Sequence, residues 1–434
     1  MTRGSTSEPL AELLALQRHT FGYFVHEANP ANGLVRDNTR YGSPSSIAAV
    51  GLGLACWPIA VERGIATREE AAQRVLATLK FFDESETGPQ PNATGHRGFF
   101  YHFLDLVTGR RAHGCELSTM DTAILLAGAL TASAYFERVS PEETEIRRLV
   151  DRLYRAADWQ WMLDGGRTLR HGWTPEKGFL PYRWQGYNEA LILYVLALGS
   201  PAHALPADSY AAWTETYEWK RACGIDFISG GPLFMHQLSH LWIDFRGIAD
   251  TYVRGKGIDY FENSRRATLA QQRYAERNPE RFRGYSRFVW GITASDGPGP
   301  ALRRIGGRTR RFYDYCARGV PDGPDDGTLS PWAVVASLPF APEVVIRTLK
   351  VLLAKYPAIR THYGLLCSFN PTFGTPRAGV WIAKGYYGLD QGPVVIMIEN
   401  FATGMVWNLM RRCAPLVEGL RRAGFSGGWL DVER

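Results

Sequence analysis

The chain has 434 residues, of which 45% are hydrophobic and 21% are charged, and its formal net charge is +6. This composition excludes an intrinsically disordered protein, and no run of Lys and Arg is dense enough to indicate a nucleic-acid surface. No apolar run reaches the length of a transmembrane helix. We therefore expect neither a nucleic acid nor a membrane among the partners.

The first residues and the cysteines bear on location and cofactors. No apolar segment of the kind found in signal peptides follows Met1, which favours a cytoplasmic location; a periplasmic or secreted location would apply if the sequence were trimmed. The six cysteines form no CxxC pair and match no zinc motif. We therefore expect free thiols, no metal site and no cofactor.

Hydrophobic residues recur at helical spacing along most of the chain. A capping box at Thr67 and Glu70 begins one helix, and the same signature at Ser140 begins another that ends near Met162. Further helices are predicted over residues 8–27, 45–63, 118–137, 187–199, 208–222, 231–247, 264–277, 342–355 and 390–412, with one strand over 379–383. The pattern indicates an all-α fold of about a dozen helices.

The connections between these helices are long and rich in Gly, Pro and aromatic residues. They cover residues 96–105, 171–186, 287–300, 316–332 and 368–388. Long loops are uncommon in compact domains and are often functional. They favour a ring of paired helices with a site on one rim, although a multi-domain helical bundle would have a similar helix count. Because no linker divides the chain, we expect one domain over residues 1–434, with 1–40 as a candidate N-terminal arm.

Three acidic residues lie where such a loop meets an apolar helix: Asp121, Glu189 and Asp390. If the loops share one rim, the three carboxylates converge on a common pocket. Glycoside hydrolysis requires a pair of this kind, because one carboxyl protonates the leaving oxygen while the other activates water or attacks the sugar.

Each of these carboxylates also has a structural interpretation. Ser118 and Asp121 have the spacing of a capping box, and an acidic first turn complements the helix dipole at Asp121 and Asp390. Glu189 has no obvious capping partner, and the apolar run GYNEALILYVLALGSP predicts its partial burial. Burial would raise its pKa toward that of a general acid, whereas the dipole would oppose the shift. Glu189 is therefore the strongest catalytic candidate.

Aromatic residues in and beside the loops are candidates for stacking on sugar rings, because the C–H face of a sugar packs on an aromatic face. They are Trp173, Tyr182, Trp184, Tyr187, Trp290 and Tyr387. His236 and His240 have the spacing of one helix face, but their segment is not HExxH, so we expect no zinc there. We interpret them as core residues or as hydrogen-bond partners of a sugar.

Six longer motifs carry a resemblance to a known family. They are GFFYHFLDLVTGRRAHGCELSTMDTAILLAGAL, GYNEALILYVLALGSP, PLFMHQLSHLWIDFRG, GIDYFENSRRATLAQQRYA, YSRFVWGITASDGP and GLDQGPVVIMIEN. These motifs resemble the putative-glucoamylase family, which includes bacterial endo-β-1,2-glucanases and a domain of cyclic β-1,2-glucan synthases. The resemblance covers roughly residues 10–425. It implies an (α/α)₆ toroid, catalysis without a metal, and a cleft lined by acidic and aromatic residues.

The resemblance also implies which residues line the site. The acidic residues of its pocket are Glu116, Asp121, Glu189 and Asp390. The other polar residues of the matching motifs that we expect to bind substrate are Asn188, His236, Asp296 and Gln391. Which carboxylate is the acid and which is the base stays open.

The sequence therefore predicts a glycoside hydrolase that cleaves β-1,2-glucan or β-1,2-glucooligosaccharides. A transglycosylase of the same fold, a polysaccharide lyase and a non-catalytic glucan-binding protein are the alternatives. Retention or inversion depends on the separation of the two carboxyl groups. Neither that outcome nor the oligomeric state follows from the sequence.

Overall fold

The computed structural model describes residues 7–375 and 379–432. Within these residues the α-helices are α1 (Ser7–His26), α2 (Ile47–Glu62), α3 (Arg68–Glu84), α4 (Thr119–Tyr135), α5 (Pro141–Ala156), α6 (Leu191–Leu198), α7 (Asp208–Thr214), α8 (Thr251–Gly255), α9 (Tyr260–Arg277), α10 (Pro331–Ala336), α11 (Pro342–Lys355), α12 (Gly388–Ala402), α13 (Met405–Met410) and α14 (Ala414–Arg422). Short 3₁₀ helices cover Trp161–Leu163, Leu233–His236, Leu238–Leu241, Pro357–Ile359 and Gly428–Leu430. No helix of this described part is long and apolar enough to cross a membrane.

Two kinds of helix alternate along the chain. Helices α2, α4, α6, α10 and α12 are apolar on nearly every side and almost fully buried. Helices α1, α3, α5, α9 and α11 bury one face and expose the other, as surface helices do. The first kind therefore forms an inner ring, and the second kind forms an outer layer around it.

The inner ring closes on itself. Helix α2 packs on α4, α4 packs on α6, and α12 packs on both α10 and α2. The 3₁₀ helices Leu233–His236 and Leu238–Leu241 occupy the remaining position, between α6 and α10. Helix α1, which lies within the candidate arm 1–40, belongs to the outer layer and packs on α12. The fold is an (α/α)₆ toroid, as the sequence predicts.

Two glycines allow the close packing of α2 on α4. A Cβ atom on Gly51 would lie 2.4 Å from the carbonyl oxygen of Ile124, and one on Gly128 would lie 1.8 Å from the carbonyl oxygen of Gly51. Side-chain atoms do not approach backbone oxygens this closely, so only glycine fits at either position.

The strands are short and lie in the connections between helices. They are β1 (Ser45–Ser46), β2 (Gly95–His96), β3 (Phe99–Phe100), β4 (Phe103–Leu104), β5 (Leu117–Ser118), β6 (Gly172–Thr174), β7 (Gly178–Phe179), β8 (Trp219–Ala222), β9 (Ile225–Ile228), β10 (Ala294–Ser295), β11 (Ala301–Ile305), β12 (Arg308–Phe312), β13 (Cys316–Ala317), β14 (Arg360–Thr361), β15 (Gly364–Leu365), β16 (Phe369–Thr375) and β17 (Gly379–Ile382). Antiparallel pairs join β1 with β4, β2 with β3, β8 with β9, β10 with β13, β11 with β12, β14 with β15 and β16 with β17, while β5, β6 and β7 form one sheet. The predicted strand over 379–383 is confirmed as β17.

Several predicted helices have different bounds in the structure. The helix predicted over 208–222 ends at Thr214, and residues 219–222 form β8 instead. Cys223 and Gly224 take positive φ angles and turn the chain from β8 into β9. The helix predicted over 187–199 begins only at Leu191, and the helix that begins after Ser140 ends at Ala156 rather than near Met162. The helix predicted over 390–412 is divided into α12 and α13, where Gly404 has a φ of 69°.

The helix predicted over 231–247 is wrong. The segment forms the two 3₁₀ helices of the inner ring instead. Its polar side chains bond to other elements: the hydroxyl of Ser239 accepts the N–H of Ile192, and the amide of Gln237 donates to the carbonyl of Ala333. These tertiary hydrogen bonds stabilise the 3₁₀ conformation of the segment in place of an α-helix.

Candidate active site

The loops that precede the inner helices meet on one rim of the toroid. The backbone N–H of Thr119 donates to the carbonyl of His171, and the indole N–H of Trp184 donates to the hydroxyl of Thr119. Similarly, the N–H of Gly388 donates to the carbonyl of Asp37. The N-terminal ends of α4 and α12 therefore lie at this rim, and the positive ends of their dipoles favour anionic groups there.

An imidazole joins two of the predicted carboxylates. His102 Nδ1 lies 3.0 Å from Glu116 Oε1, and His102 Nε2 lies 3.7 Å from Asp121 Oδ1. The ring also stacks on Phe103, with centroids 4.0 Å apart. Burial alone would lower the pKa of His102, but the charges of Asp121, Glu116 and Asp37 raise it to about 9. His102 is therefore a cation at neutral pH, held between two carboxylates.

Asp121 and Glu116 differ in what else they contact. The hydroxyl of Ser118 accepts the backbone N–H of Asp121 and donates to its carboxylate, so the predicted capping interaction is present. Burial would raise the pKa of Glu116, but the hydrogen bond and charge of His102 lower it below its usual value. Glu116 is therefore held as a carboxylate, which suits an electrostatic or substrate-binding role better than proton donation.

Glu189 lies two residues before α6 begins at Leu191. Its side chain is partly buried, and its Oε2 atom has no hydrogen-bond partner among the described residues. Burial raises the pKa of Glu189 to about 7, and the nearby charge of Asp121 adds to the shift. A large share of the molecules therefore carries a proton on Glu189 at neutral pH, as a general acid requires.

Asp390 lies in the first turn of α12 and is buried. Its Oδ2 atom has no hydrogen-bond partner within residues 7–375 and 379–432. Burial raises the pKa of Asp390 well above its usual value, and the charges of Asp296 and Asp37 act in the same direction. Asp390 and Glu189 are thus two carboxyls whose neutral forms are favoured by burial.

All six cysteines are free thiols, as predicted.

Asp296 connects three loops of the rim. Arg40 forms an ion pair with Asp296, and the hydroxyl of Tyr387 lies 2.9 Å from both carboxylate oxygens. The guanidinium of Arg40 also lies 5.6 Å from the centroid of the Tyr387 ring. Because Tyr387 precedes Asp390 by three residues, this network borders the acidic cluster.

An open groove of about 670 Å³ borders Glu189. Its lining includes Arg170, His171, Tyr182, Trp184, Asn188 and Glu189. Tyr182 is 67% exposed, whereas Trp184 is buried and stacks on His171 with centroids 4.0 Å apart. The volume is within the usual range of small-molecule sites. Tyr182 leaves a ring face free on which a sugar could stack.

A cavity of about 30 Å³ lies beside Asp390 and is also lined by Tyr315 and Trp332. Tyr315 is 62% exposed, so its ring extends from this cavity toward solvent. The rim therefore presents exposed aromatic rings near both Glu189 and Asp390.

Three residues predicted to bind substrate lie in the core instead. Trp290 has no exposed surface, and its indole N–H donates to Thr348. Tyr187 is buried and stacks on Tyr260, with centroids 5.8 Å apart. His236 is buried, and burial lowers its pKa to about 3, so it is a neutral core residue. A sugar cannot reach these side chains without a rearrangement of the core.

Three others lie at or behind the rim. Trp173 is partly exposed and packs against Trp161. Asn188 closes the turn before α6, because its side-chain oxygen accepts the N–H of Ala190. Gln391 has no exposed surface, and its amide donates to a backbone carbonyl. Both side chains therefore make hydrogen bonds within the protein, and Asn188 also lines the groove beside Glu189.

Sequence reasoning missed four groups at the rim: Asp37, Arg40, His102 and Tyr315. His102 and Tyr315 lie in or beside loops that were expected to be functional, but a single polar or aromatic residue there carries no distinct pattern. Asp37 and Arg40 lie within residues 1–40, the candidate arm. Their position in the sequence could have indicated them, since the segment before the apolar helix α2 corresponds to the loops before α4, α6 and α12.

Solved and curated relatives resemble the chain over nearly its whole length. A structure described as that of a putative glucoamylase from Bacteroides uniformis is 28% identical, with a TM-score of 0.86 and coverage of 99% of this chain and 100% of that chain. The endo-β-1,2-glucanase from Chitinophaga pinensis, in complex with sophorotriose and glucose, is 25% identical, with a TM-score of 0.81 and coverage of 97% and 99%.

A curated relative and a family model extend this likeness. The exo β-1,2-glucooligosaccharide sophorohydrolase (non-reducing end) of Parabacteroides distasonis is 28% identical over 455 aligned positions, which cover 96% of this chain. The alignment spans only 58% of that protein's length. The family model described as Putative glucoamylase matches residues 181–414, which is more than half of the chain. The chain belongs to this family.

Proposed function

We propose that this chain is a glycoside hydrolase that cleaves β-1,2-glucan or β-1,2-glucooligosaccharides. The observation that carries the proposal is Glu189, a carboxyl with a pKa of about 7 at the edge of an open groove. It shares its rim with Asp121 and Asp390, so the site holds a proton donor and candidate bases. The relatives named as β-1,2-glucan hydrolases support the choice of substrate.

In this proposal Glu189 protonates the glycosidic oxygen as the bond to the leaving sugar breaks. Asp121 or Asp390 then acts as the base toward water or as the nucleophile toward the sugar. The loss of the Glu189 proton would place a new negative charge near Asp121. Protonated His102 offsets that charge, because its Nε2 faces the Asp121 carboxylate.

The reaction type is tested by sizing the products from linear β-1,2-glucan. A hydrolase yields shorter β-1,2-glucooligosaccharides with new reducing ends. Transfer to an added acceptor sugar as the main product would indicate a transglycosylase instead. A product that absorbs in the ultraviolet would indicate a lyase, and binding without turnover would indicate a glucan-binding protein.

Replacing Tyr182 with Ala should weaken substrate binding but not folding. The side chain is 67% exposed, so its removal leaves no cavity. Loss of one stacking contact of ~0.5–1.5 kcal/mol should raise the KM for β-1,2-glucan about 2- to 12-fold. Michaelis constants and melting temperatures of the variant and the wild type provide the measurement.

The matched comparison is Trp290→Ala, an aromatic residue that was predicted for the same role but lies in the core. Its loss should cost about 3–5 kcal/mol of unfolding free energy, while the KM of the protein that stays folded changes little. An unchanged KM for Tyr182→Ala would remove Tyr182 from the proposed binding surface.

Replacing His102 with Gln should move the acidic limb of the pH–activity profile to higher pH. The cation lowers the pKa of Glu116, so its removal lets this carboxylate take up a proton at a higher pH. In the wild type the His102 cation stabilises the Glu116 carboxylate below about pH 9, where His102 is charged. This stabilisation is lost above that pH.

The profile of kcat/KM between about pH 4 and 9 measures this shift. His19→Gln, on the exposed face of α1, is the matched control and should leave the profile unchanged. A His102→Gln profile that overlays the wild type would show that the imidazole does not tune the cluster.

A further inference from the structure

The hairpin of β11 and β12 is unusually basic. Its sequence ALRRIGGRTRRF, residues 301–312, contains five arginines and no acidic residue. These five positive charges compare with a net charge of +6 for the whole chain. In sequence the arginines are divided by the turn at Gly306 and Gly307, but the register brings Arg303 opposite Arg310. Folding therefore brings together arginines that are separated in the sequence.

On one face, aromatic rings and backbone carbonyls hold the arginines in place. The guanidinium of Arg303 lies 3.6 Å from the centroid of Phe373, and that of Arg310 lies 4.6 Å from the centroid of Phe282. Arg310 also donates to the carbonyl of Glu280. Such contacts fix a guanidinium without neutralising it, and they leave N–H groups free for an anion.

Few carboxylates balance this charge. In the described part of the chain, the only acidic side chain paired with the hairpin is Glu280, whose Oε2 lies 3.8 Å from Arg308. On the opposite face, Arg304 and Arg311 are exposed and have no ion-pair or hydrogen-bond partner among the described residues. Strand register places both on the same side, because Arg304 faces Thr309 and Arg311 faces Leu302.

The base of the hairpin adjoins the candidate active site. At its base β10 pairs with β13, with Ser295 opposite Cys316. Asp296 follows one of these strands and Tyr315 precedes the other, and both belong to the rim described above. Five residues of extended strand reach roughly 17 Å. A ligand that emerges from the site on this side would therefore meet the arginines.

We propose that the β11–β12 hairpin binds acidic substituents, carboxylate or phosphate esters, carried by the glucan whose backbone lies at the rim. This inference rests on the proposed glucan hydrolase function. The fork of N–H donors on arginine matches both groups. A lipid surface fits less well, because the turn consists of Gly306 and Gly307 and the exposed large apolar side chain of the hairpin is Leu302 alone.

The test uses linear β-1,2-glucan in three forms: unmodified, partly succinylated, and acetylated to the same degree as a neutral control. A fourth form carries phosphate esters and separates the two acidic groups. Binding to the full chain is measured by calorimetry at low salt and at about 0.5 M NaCl, in the Glu189→Gln background so that the glucan is not cleaved during the titration. The same titrations use Arg304→Gln/Arg311→Gln and, as a matched control, Arg152→Gln/Arg155→Gln on the outer helix α5.

We expect the protein with the native hairpin, in this background, to bind one or both acidic glucans about 2- to 10-fold more tightly than the acetylated glucan. The preference should disappear at high salt and in Arg304→Gln/Arg311→Gln, but persist in the α5 control. Equal affinity for acidic and acetylated glucan, or a preference that survives in Arg304→Gln/Arg311→Gln, would overturn the proposal. Retention on anionic vesicles or duplex DNA without a preference for acidic glucan would overturn it as well.

This result is separate from the proposed hydrolase function. Cleavage of unmodified β-1,2-glucan tests the hydrolase, and both arginine variants should cleave it at the wild-type rate. Calorimetry reports on the hairpin even if no glucan is cleaved. Failure of one proposal is therefore distinguishable from failure of the other.

Discussion

Glu189→Gln should lower turnover of β-1,2-glucan by about 10²–10⁴-fold while the protein folds and binds substrate normally. Glutamine keeps the shape of the side chain but has no ionisable proton to give to the leaving oxygen. Because Glu189 Oε2 has no hydrogen-bond partner among the described residues, the change should break few contacts. Initial rates, the affinity for β-1,2-glucan and the melting temperature together measure the effect.

The pH dependence adds an independent check on Glu189. With a pKa of about 7, the side chain is protonated below that pH, so wild-type kcat should fall as pH rises through it. Glu215→Gln, an exposed glutamate paired with Arg167, is the control and should retain full activity. A folded Glu189→Gln enzyme with near-wild-type turnover would end the assignment, and the same substitution at Glu116, Asp121 and Asp390 would then locate the pair.

Arg318→Gln should destabilise the protein by about 3–5 kcal/mol. Arg318 and Asp326 have no exposed side-chain surface and form a two-pronged pair, with Nε 2.8 Å from Oδ1 and Nη2 2.9 Å from Oδ2. Arg318 also donates to the carbonyls of Ser295 and Tyr313. Its loss would leave the buried Asp326 charge without a cation, with only the backbone N–H groups of Tyr313 and Thr328 as partners, and would loosen the loops that hold Asp296 and Tyr315.

Urea unfolding, followed by the signal of the buried tryptophans, measures this cost. Arg152→Gln removes an ion pair between the exposed Arg152 and the partly buried Asp83 and should cost about 1 kcal/mol. The double variant Arg318→Met/Asp326→Leu removes both charges and should be more stable than Arg318→Gln alone. Unfolding of Arg318→Gln at the same urea concentration as Arg152→Gln would contradict the role assigned to the buried pair.

The helical ring could be predicted from the sequence because its periodicity is strong and local. Fully apolar segments such as α2 and α4 read as buried helices, and amphipathic segments such as α3 and α5 read as their outer partners. Residues 231–247 look equally helical, but tertiary bonds of Gln237 and Ser239 decide their conformation. These partners are distant along the chain, so the local sequence does not predict them.

The site could be predicted only in part, because burial is a property of the fold. Trp290 and Tyr182 both lie in or beside aromatic loops, yet one has no exposed surface and the other is 67% exposed. The carboxylates could be proposed from the sequence because an acid before or in the first turn of an apolar helix is a visible pattern. His102 was not found, because its partners Glu116 and Asp121 lie 14 and 19 residues away along the chain and meet it only in the folded toroid.

The most direct test of β-1,2-glucan hydrolysis by Glu189 is a comparison of glucans. The purified chain and its Glu189→Gln variant are each incubated with linear β-1,2-glucan, laminarin and starch, and the products are sized. We expect the wild type to shorten β-1,2-glucan and to leave laminarin and starch intact, while the variant leaves all three intact over the same time. Cleavage of starch or laminarin in preference to β-1,2-glucan, or equal cleavage by the variant, would contradict the proposed function.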